Sequence, residues 1–301
     1  METIIELENL TKRFGKHHAV NALTLSVPPG SVTAFLGPNG AGKTTTIKCL
    51  LNLLVRDEGS ARVLGCDSAK LGPRELRQLG YVSENQELPL WMTVTQFLNY
   101  CRPMYPDWDS DFEKKLLKSF ELPLTTKLRS LSRGQRMKAA LLSSLAYRPK
   151  LVVLDEPFSG LDALVRDEFL HGLLELTETE DWTVLLSSHD IDEVERLADR
   201  VAILNGGHLA VDESTEHLQE RFRQMEIHLG SEETPLPKAP PKTWLNVEKT
   251  GRVVRFIETG HVAAGEDDVL KAQFPGMERF HSEPMKLREI FVTLAKTYRL
   301  S

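Results

Sequence analysis

Cysteine is scarce in this chain. Cys49, Cys66 and Cys101 are the three thiols among 301 residues, and no two form a Cys-x-x-Cys pair. Zinc and redox motifs are therefore not expected, and the pattern suits reduced thiols in a cytosolic protein. No uninterrupted apolar stretch approaches the ~20 residues that cross a bilayer. The run Met1-Glu2-Thr3-Ile4-Ile5-Glu6 is acidic and has no basic region ahead of an apolar one, so no secretory leader is expected. Positive charge is also in deficit. A net charge of −6 argues against a surface built to coat nucleic acid, though it leaves room for a local basic patch. Internal repeats, low-complexity tracts and sustained heptads are missing too. What is present is ordinary: 41% hydrophobic and 27% charged residues, which fits a globular chain of one large domain or two of usual size.

Along the chain, Ile4–Leu7 and Leu23–Val27 alternate apolar and polar residues, as half-buried strands do. Pro28-Pro29-Gly30 marks a turn before the apolar strand Ser31–Leu36. A helix is expected over Thr45–Leu54 and a short strand over Ala61–Leu64. From about 87 to 146 the patterning is helical, broken by Pro89, Pro103, Pro106 and Pro123, and it reads as an insert. Leu151–Leu154, Thr183–Leu186 and Val201–Leu204 are short, fully apolar runs of the kind found in central parallel strands. Composition shifts near Arg221, and the Pro-rich segment Ser231–Lys242 reads as a stiff linker or exposed loop. Beyond it come a hairpin around Lys249-Thr250-Gly251 and a helix over Met285–Tyr298. Domains are therefore expected at 1–220 and 221–301.

One segment is decisive in its context. Gly37-Pro38-Asn39-Gly40-Ala41-Gly42-Lys43-Thr44 fits G-x-x-x-x-G-K-[ST] and sits between a strand and a helix. Glycines let the backbone N–H groups curl around phosphate oxygens, and the helix N-terminus faces the same anion. Lys43 can reach the β- and γ-phosphates, the Thr44 hydroxyl can ligate Mg²⁺, and Thr45 follows in the first helical turn. Asp155-Glu156 ends an apolar strand. That is where a phosphate site needs one carboxylate for the metal, Asp155, and one to orient or deprotonate water, Glu156.

Leu131-Ser132-Arg133-Gly134-Gln135, then a helix, then Leu-Val-Val-Leu-Asp-Glu-Pro, resembles the signature of ATP-binding-cassette (ABC) ATPases. Other pieces of that pattern occur in order across residues 1 to about 215. By this resemblance Phe14 stacks on adenine, Ser159-Gly160-Leu161-Asp162 is the loop after the catalytic glutamate, and His189 is a switch histidine near the γ-phosphate. The resemblance implies an α/β P-loop NTPase (RecA-like) core with an antiparallel β subdomain, a helical signature subdomain and a small C-terminal α/β appendage. It implies ATP and Mg²⁺ as ligands. It also implies a head-to-tail dimer, in which Ser132, Arg133, Gly134 and Gln135 of one protomer cap the nucleotide of the other. Three positions depart from the family. Arg133 replaces a common Gly, Glu84 stands where the family often has a metal-approaching Gln, and Ala163 replaces a common Pro.

The resemblance therefore predicts an ATP-hydrolysing motor subunit at the cytoplasmic face of the membrane. It would bind a separate polytopic permease and a second ATPase protomer, with no nucleic-acid partner. The order of motifs, Tyr105-Pro106-Asp107-Trp108 and the C-terminal helix resemble the bacterial drug-export type. Trp91, Tyr100, Tyr105 and Trp108 are candidates for a permease-docking groove or for the core of the insert. The alternative is a soluble ABC-type ATPase acting on DNA or ribosomes. Such proteins usually carry two cassettes or a long coiled coil, whereas this chain has one phosphate loop and one signature. A P-loop GTPase or small-molecule kinase lacks support, because no Asn-Lys-x-Asp motif is present and the signature would go unexplained.

Overall fold

The computed structural model describes residues 3–300 apart from 180, 181, 193, 238 and 263–265. Met1 and Glu2 of the acidic N-terminal run and Lys238 of the Pro-rich segment lie outside the described residues. The chain divides into two compact units, Met1–Asp212 and Glu213–Ser301, with the boundary ahead of the composition shift near Arg221.

The first unit opens with β1 (Ile5–Phe14) and β2 (His17–Val27), then β3 (Val32–Leu36) and α1 (Lys43–Leu50). Next come β4 (Glu58–Val63), β5 (Cys66–Asp67), α2 (Pro73–Leu76) and β6 (Leu79–Ser83). The insert holds α3 (Val94–Cys101), α4 (Ser110–Phe120) and α5 (Arg133–Leu145). The chain returns through β7 (Leu151–Asp155), α6 (Ala163–Thr179), β8 (Thr183–Ser188), β9 (Arg200–Asn205) and β10 (His208–Ser214). One sheet is antiparallel, in the order β2-β1-β4-β5. The other has six strands in the order β10-β9-β3-β8-β7-β6, and its pairings from β9 through to β6 are parallel.

Every residue of β3, β7 and β8 is buried, as expected of parallel strands covered on both faces. β1 and β2 carry buried residues mixed with exposed ones, because one sheet face meets solvent. The core beneath them joins Ile5, Leu23 and Val63 of the antiparallel sheet to Phe35 and Val153 of the parallel one and to Ile47 of α1. The strand order places β3 beside β8 and β8 beside β7, so the loops leaving their C-terminal ends meet at one edge of the sheet.

The helix expected over Thr45–Leu54 starts and stops earlier, at Lys43 and Leu50. Asn52 adopts left-handed φ 56°, and the Leu53 and Asn52 amides bond the carbonyls of Lys48 and Cys49 at 2.8 and 3.3 Å. This is a Schellman stop with asparagine at the left-handed position, which the apolar run Leu50–Leu54 conceals in the sequence. In the insert, Trp91 and Tyr100 are exposed, but Tyr105 and Trp108 are half-buried. Tyr105 stacks on Tyr147 with ring centroids 3.8 Å apart, and Trp108 Nε1 donates to Glu113 at 2.6 Å. Those two aromatics belong to the insert's packing.

The second unit contains α7 (Thr215–Arg221), β11 (Arg223–Leu229), β12 (Trp244–Thr250), β13 (Val253–Glu258), α8 (Glu266–Gln273), β14 (Met277–Pro284) and α9 (Leu287–Leu300). Its sheet runs β12-β13-β11-β14, with every pairing antiparallel. Met225, Ile227, Val254 and Phe256 point to one face and pack with Leu270 of α8 and with Phe274, the residue after it. Leu218, Leu287 and Ile290 are buried on α7 and α9.

Candidate functional site

The loop between β3 and α1 is shaped by close backbone approach. Gly42 sits at φ 104°, and a Cβ there would lie 2.4 Å from the Ala19 carbonyl oxygen. A side chain at Gly37 would meet the Leu204 carbonyl oxygen at 2.5 Å. Only glycine fits at these positions, and the loop is pressed against its neighbours as a result. No side chain caps α1, so the amides of its first turn face the cavity with the helix dipole behind them.

That cavity has a volume of about 530 Å³. The loop from Asn39 to Thr45 forms one wall, Glu84, Glu156, Ser159 and His189 form another, and Phe14 stands at the rim, 52% exposed. Lys43 is buried, and its ammonium donates to the Gly37 carbonyl at 2.6 Å. It also lies 3.4 Å from the Pro38 carbonyl oxygen and 3.1 Å from Glu156 Oε1. The second oxygen of Glu156 lies 2.7 Å from His189 Nδ1. Glu156 is thus held from both sides, and its backbone takes left-handed φ 53°, unusual for a residue with a Cβ. The Glu156 amide is anchored by the Ser187 hydroxyl at 3.0 Å and the Ser187 carbonyl at 3.2 Å.

Asp155 is buried at the end of β7. Its Oδ1 accepts from the Thr44 hydroxyl at 3.0 Å and the Ser187 hydroxyl at 2.6 Å. Burial raises its carboxyl above the ordinary range, against the lowering effect of those two hydroxyl donors and of Lys43, with Glu156 adding to the rise. A divalent cation here would relieve an ionised carboxylate that the fold has desolvated. The Thr44 hydroxyl and the Asp155 carboxylate are hard oxygen donors on adjacent walls, a donor set suited to Mg²⁺ shared with phosphate oxygens.

The structure therefore brings Lys43, Thr44, Asp155, Glu156, Glu84 and His189 together with Phe14. Ser132, Gly134 and Gln135 do not line this cavity. The Ser132 hydroxyl accepts from the Gln135 amide at 3.1 Å and the Gln135 side chain accepts from the Ser132 amide at 3.1 Å, a reciprocal cap at the start of α5. Arg133 reaches Glu84 of its own chain, 3.1 Å from Nη2 to Oε1, and lines a neighbouring groove with it. Sequence reasoning missed Ser187 and, although it named the Ser159 loop, missed the contact Ser159 makes. Ser187 holds both Asp155 and Glu156, and the available signal was a pair of serines ending an otherwise apolar strand. Ser159 donates to Glu84 at 2.6 Å, across a sequence distance that local pattern does not span.

Comparison with known proteins agrees with this geometry. The profile of the family described as ABC transporter matches residues 20–159. The chain is 28% identical over 224 residues to the ABC transporter ATP-binding protein YtrB of Bacillus subtilis, covering 74% of this chain and 76% of that protein. It is 30% identical over 264 residues to the sulfate/thiosulfate import ATP-binding protein CysA of Escherichia coli, covering 78% of this chain and 72% of CysA. A solved ATP-binding subunit of an ABC transporter superposes with a TM-score of 0.65 at 27% identity, covering 72% of this chain and 92% of that one.

Proposed function

The chain belongs to the ABC transporter family as an ATP-hydrolysing subunit, and from that premise we propose that it drives a separate membrane permease as a head-to-tail dimer. The observation that carries the reading is the joined set Lys43, Glu156 and His189, with Thr44 and Asp155 beside them, in a cavity rimmed by an exposed aromatic. Among the described residues no helix is long and apolar enough to cross a membrane. The separate permease and the cytoplasmic face are part of the proposal, supported by relatives named as ATP-binding proteins of transporters.

The residues divide the work. Phe14 offers a stacking face to adenine. The amides of α1 and the loop before it cradle the phosphates. Lys43, now shared between Glu156 and the Gly37 carbonyl, exchanges these for the more strongly charged triphosphate. Glu156, released from that ammonium, orients a water for attack on the γ-phosphorus, and His189 steadies the carboxylate at its second oxygen. Mg²⁺, held by Thr44 and Asp155, would neutralise charge on the phosphate oxygens. The first turn of α5 in a second protomer, Ser132–Gln135, would complete the far side of the same nucleotide. Hydrolysis removes the group that both surfaces share, and the dimer opens.

Export is the direction we favour, on the resemblance of the motif order and of the C-terminal helix to the drug-export type. The CysA relatives are named for import, so direction needs its own measurement. The test is capture of the closed state. E156Q, tagged and supplied with ATP and Mg²⁺ in mildly solubilised membranes, should bring down a polytopic membrane protein in stoichiometric amount. Ribosomes or DNA-processing proteins in place of a permease would overturn the transporter reading. A solute-binding protein accompanying the permease would overturn export.

A further inference from the structure

Two departures from the family pattern, Glu84 and Arg133, meet in space. Glu84 Oε1 accepts from Arg133 Nη2 at 3.1 Å and from the Ser159 hydroxyl at 2.6 Å. The guanidinium rests against Gly160, where a Cβ would lie 2.2 Å from Nη1 and 2.6 Å from Cζ. Gly134 serves the same approach one position on, since a Cβ there would lie 2.3 Å from Val165 Cγ1 of α6. Three segments remote in sequence thus converge on one carboxylate: the loop after β6, the first turn of α5 and the loop between β7 and α6.

Charge explains why the two residues occur together. Glu84 stands in the wall of the cavity that takes a triphosphate. Alone, its carboxylate would repel that anion. Alone, Arg133 would be an unpaired cation against the Gly160 backbone. Each side chain is partly exposed, 35% for Glu84 and 45% for Arg133, so salt screens the effect without abolishing it.

We propose that Arg133 is a positioning residue for ATP hydrolysis. It neutralises Glu84 and fixes it, together with the Ser159–Gly160 loop, at the cavity wall, so that residues 84 and 133 act as one charge pair in place of the family's Gln and Gly. The proposal rests on ATP hydrolysis by this chain and is independent of which permease it serves.

Steady-state hydrolysis tests it in wild type, R133G, R133K, E84Q and E84Q/R133G, at low and high salt. R133G should raise KM for MgATP about tenfold with a smaller change in kcat, and the rise should shrink as salt increases. R133K, which keeps charge but loses the planar fork, should fall between wild type and R133G. With E84Q in place no carboxylate is left for Arg133 to neutralise, so adding R133G should move KM less than about twofold. An R133G effect as large with E84Q as without it would overturn the pair, as would an R133G KM that does not move. Should R133G fail to unfold cooperatively on heating, R133K measured with and without E84Q carries the same comparison, and an R133K effect that persists without Glu84 would overturn the proposal. Wild-type turnover in the same assay checks the ATPase assignment separately.

Discussion

The two units treat buried polarity in opposite ways. Among the described residues of the first unit, Lys43, Asp155, Thr46, Ser187 and Ser188 are buried close to the sheet edge where the phosphate loop lies, and Glu113 and Lys138 are buried elsewhere. Among those of the second unit, Thr293 is the single buried polar side chain, and its core is built from Trp244, Phe256, Phe274 and aliphatic residues. Desolvating charge weakens a fold unless the charge is paired, so a unit that does so retains it for chemistry or specificity. The first unit gives up stability to prepare a site, and the second buries an almost wholly apolar core among its described residues.

Removing the buried carboxylate should sharpen this contrast most. Burial holds the Asp155 carboxyl above its ordinary range, so at neutral pH its ionised form costs the fold stability. D155N keeps an oxygen acceptor for Thr44 and Ser187 while discarding the charge. Hydrolysis should fall about a hundredfold or more, because the cation loses its carboxylate. Thermal unfolding of the unliganded protein at pH 7 should move upward by a few degrees. An inactive variant that is also less stable would mean that Asp155 is chiefly a structural hydrogen-bond acceptor.

Breaking the second unit should separate the two in the other direction. Phe256 is fully buried, with its ring centroid 4.1 Å from that of Trp244. F256A should destabilise residues 213–301 by about 3–5 kcal/mol, read as lost hydrogen-exchange protection confined to those peptides. Basal ATP hydrolysis should persist, since the described residues that line the cavity all belong to the first unit. A parallel loss of turnover would show that the two cores are energetically coupled.

The range of each interaction decides how much of the molecule is legible in its sequence. The strand, glycine loop and helix around Lys43 are set by neighbours along the chain, and so are the all-buried strands β3, β7 and β8, whose apolar runs announce them. Asp155 and Glu156 can be placed because a strand end delivers them. The ends of α1 cannot, because apolar residues continue through the left-handed turn at Asn52. Tyr105 and Trp108 are ambiguous in sequence because their partners, Tyr147 and Glu113, are fixed only by helix packing. Arg133 is read from the sequence toward a shared nucleotide. Its contact with Glu84 spans 49 residues and depends on Gly160, so no local pattern reveals it.

Phe14 supplies the smallest test and turns on the same contrast. Buried aromatics in the second unit serve packing, whereas Phe14 is half in solvent at the cavity rim, with Lys12 Nζ 5.7 Å from its ring centroid. Little of its area is removed from water within the chain, so truncation should leave stability almost unchanged. Stacking on a base contributes about 1–3 kcal/mol, which predicts a KM for MgATP raised about tenfold in F14A. Adenine lies far from the bond that breaks, so kcat should hold, the signature of binding shared equally by ground and transition states. F14W should restore affinity, because a larger aromatic face is kept. If F14A instead lowers the melting temperature and leaves KM alone, Phe14 is a packing residue of β1, and the adenine must be held by other groups at the rim.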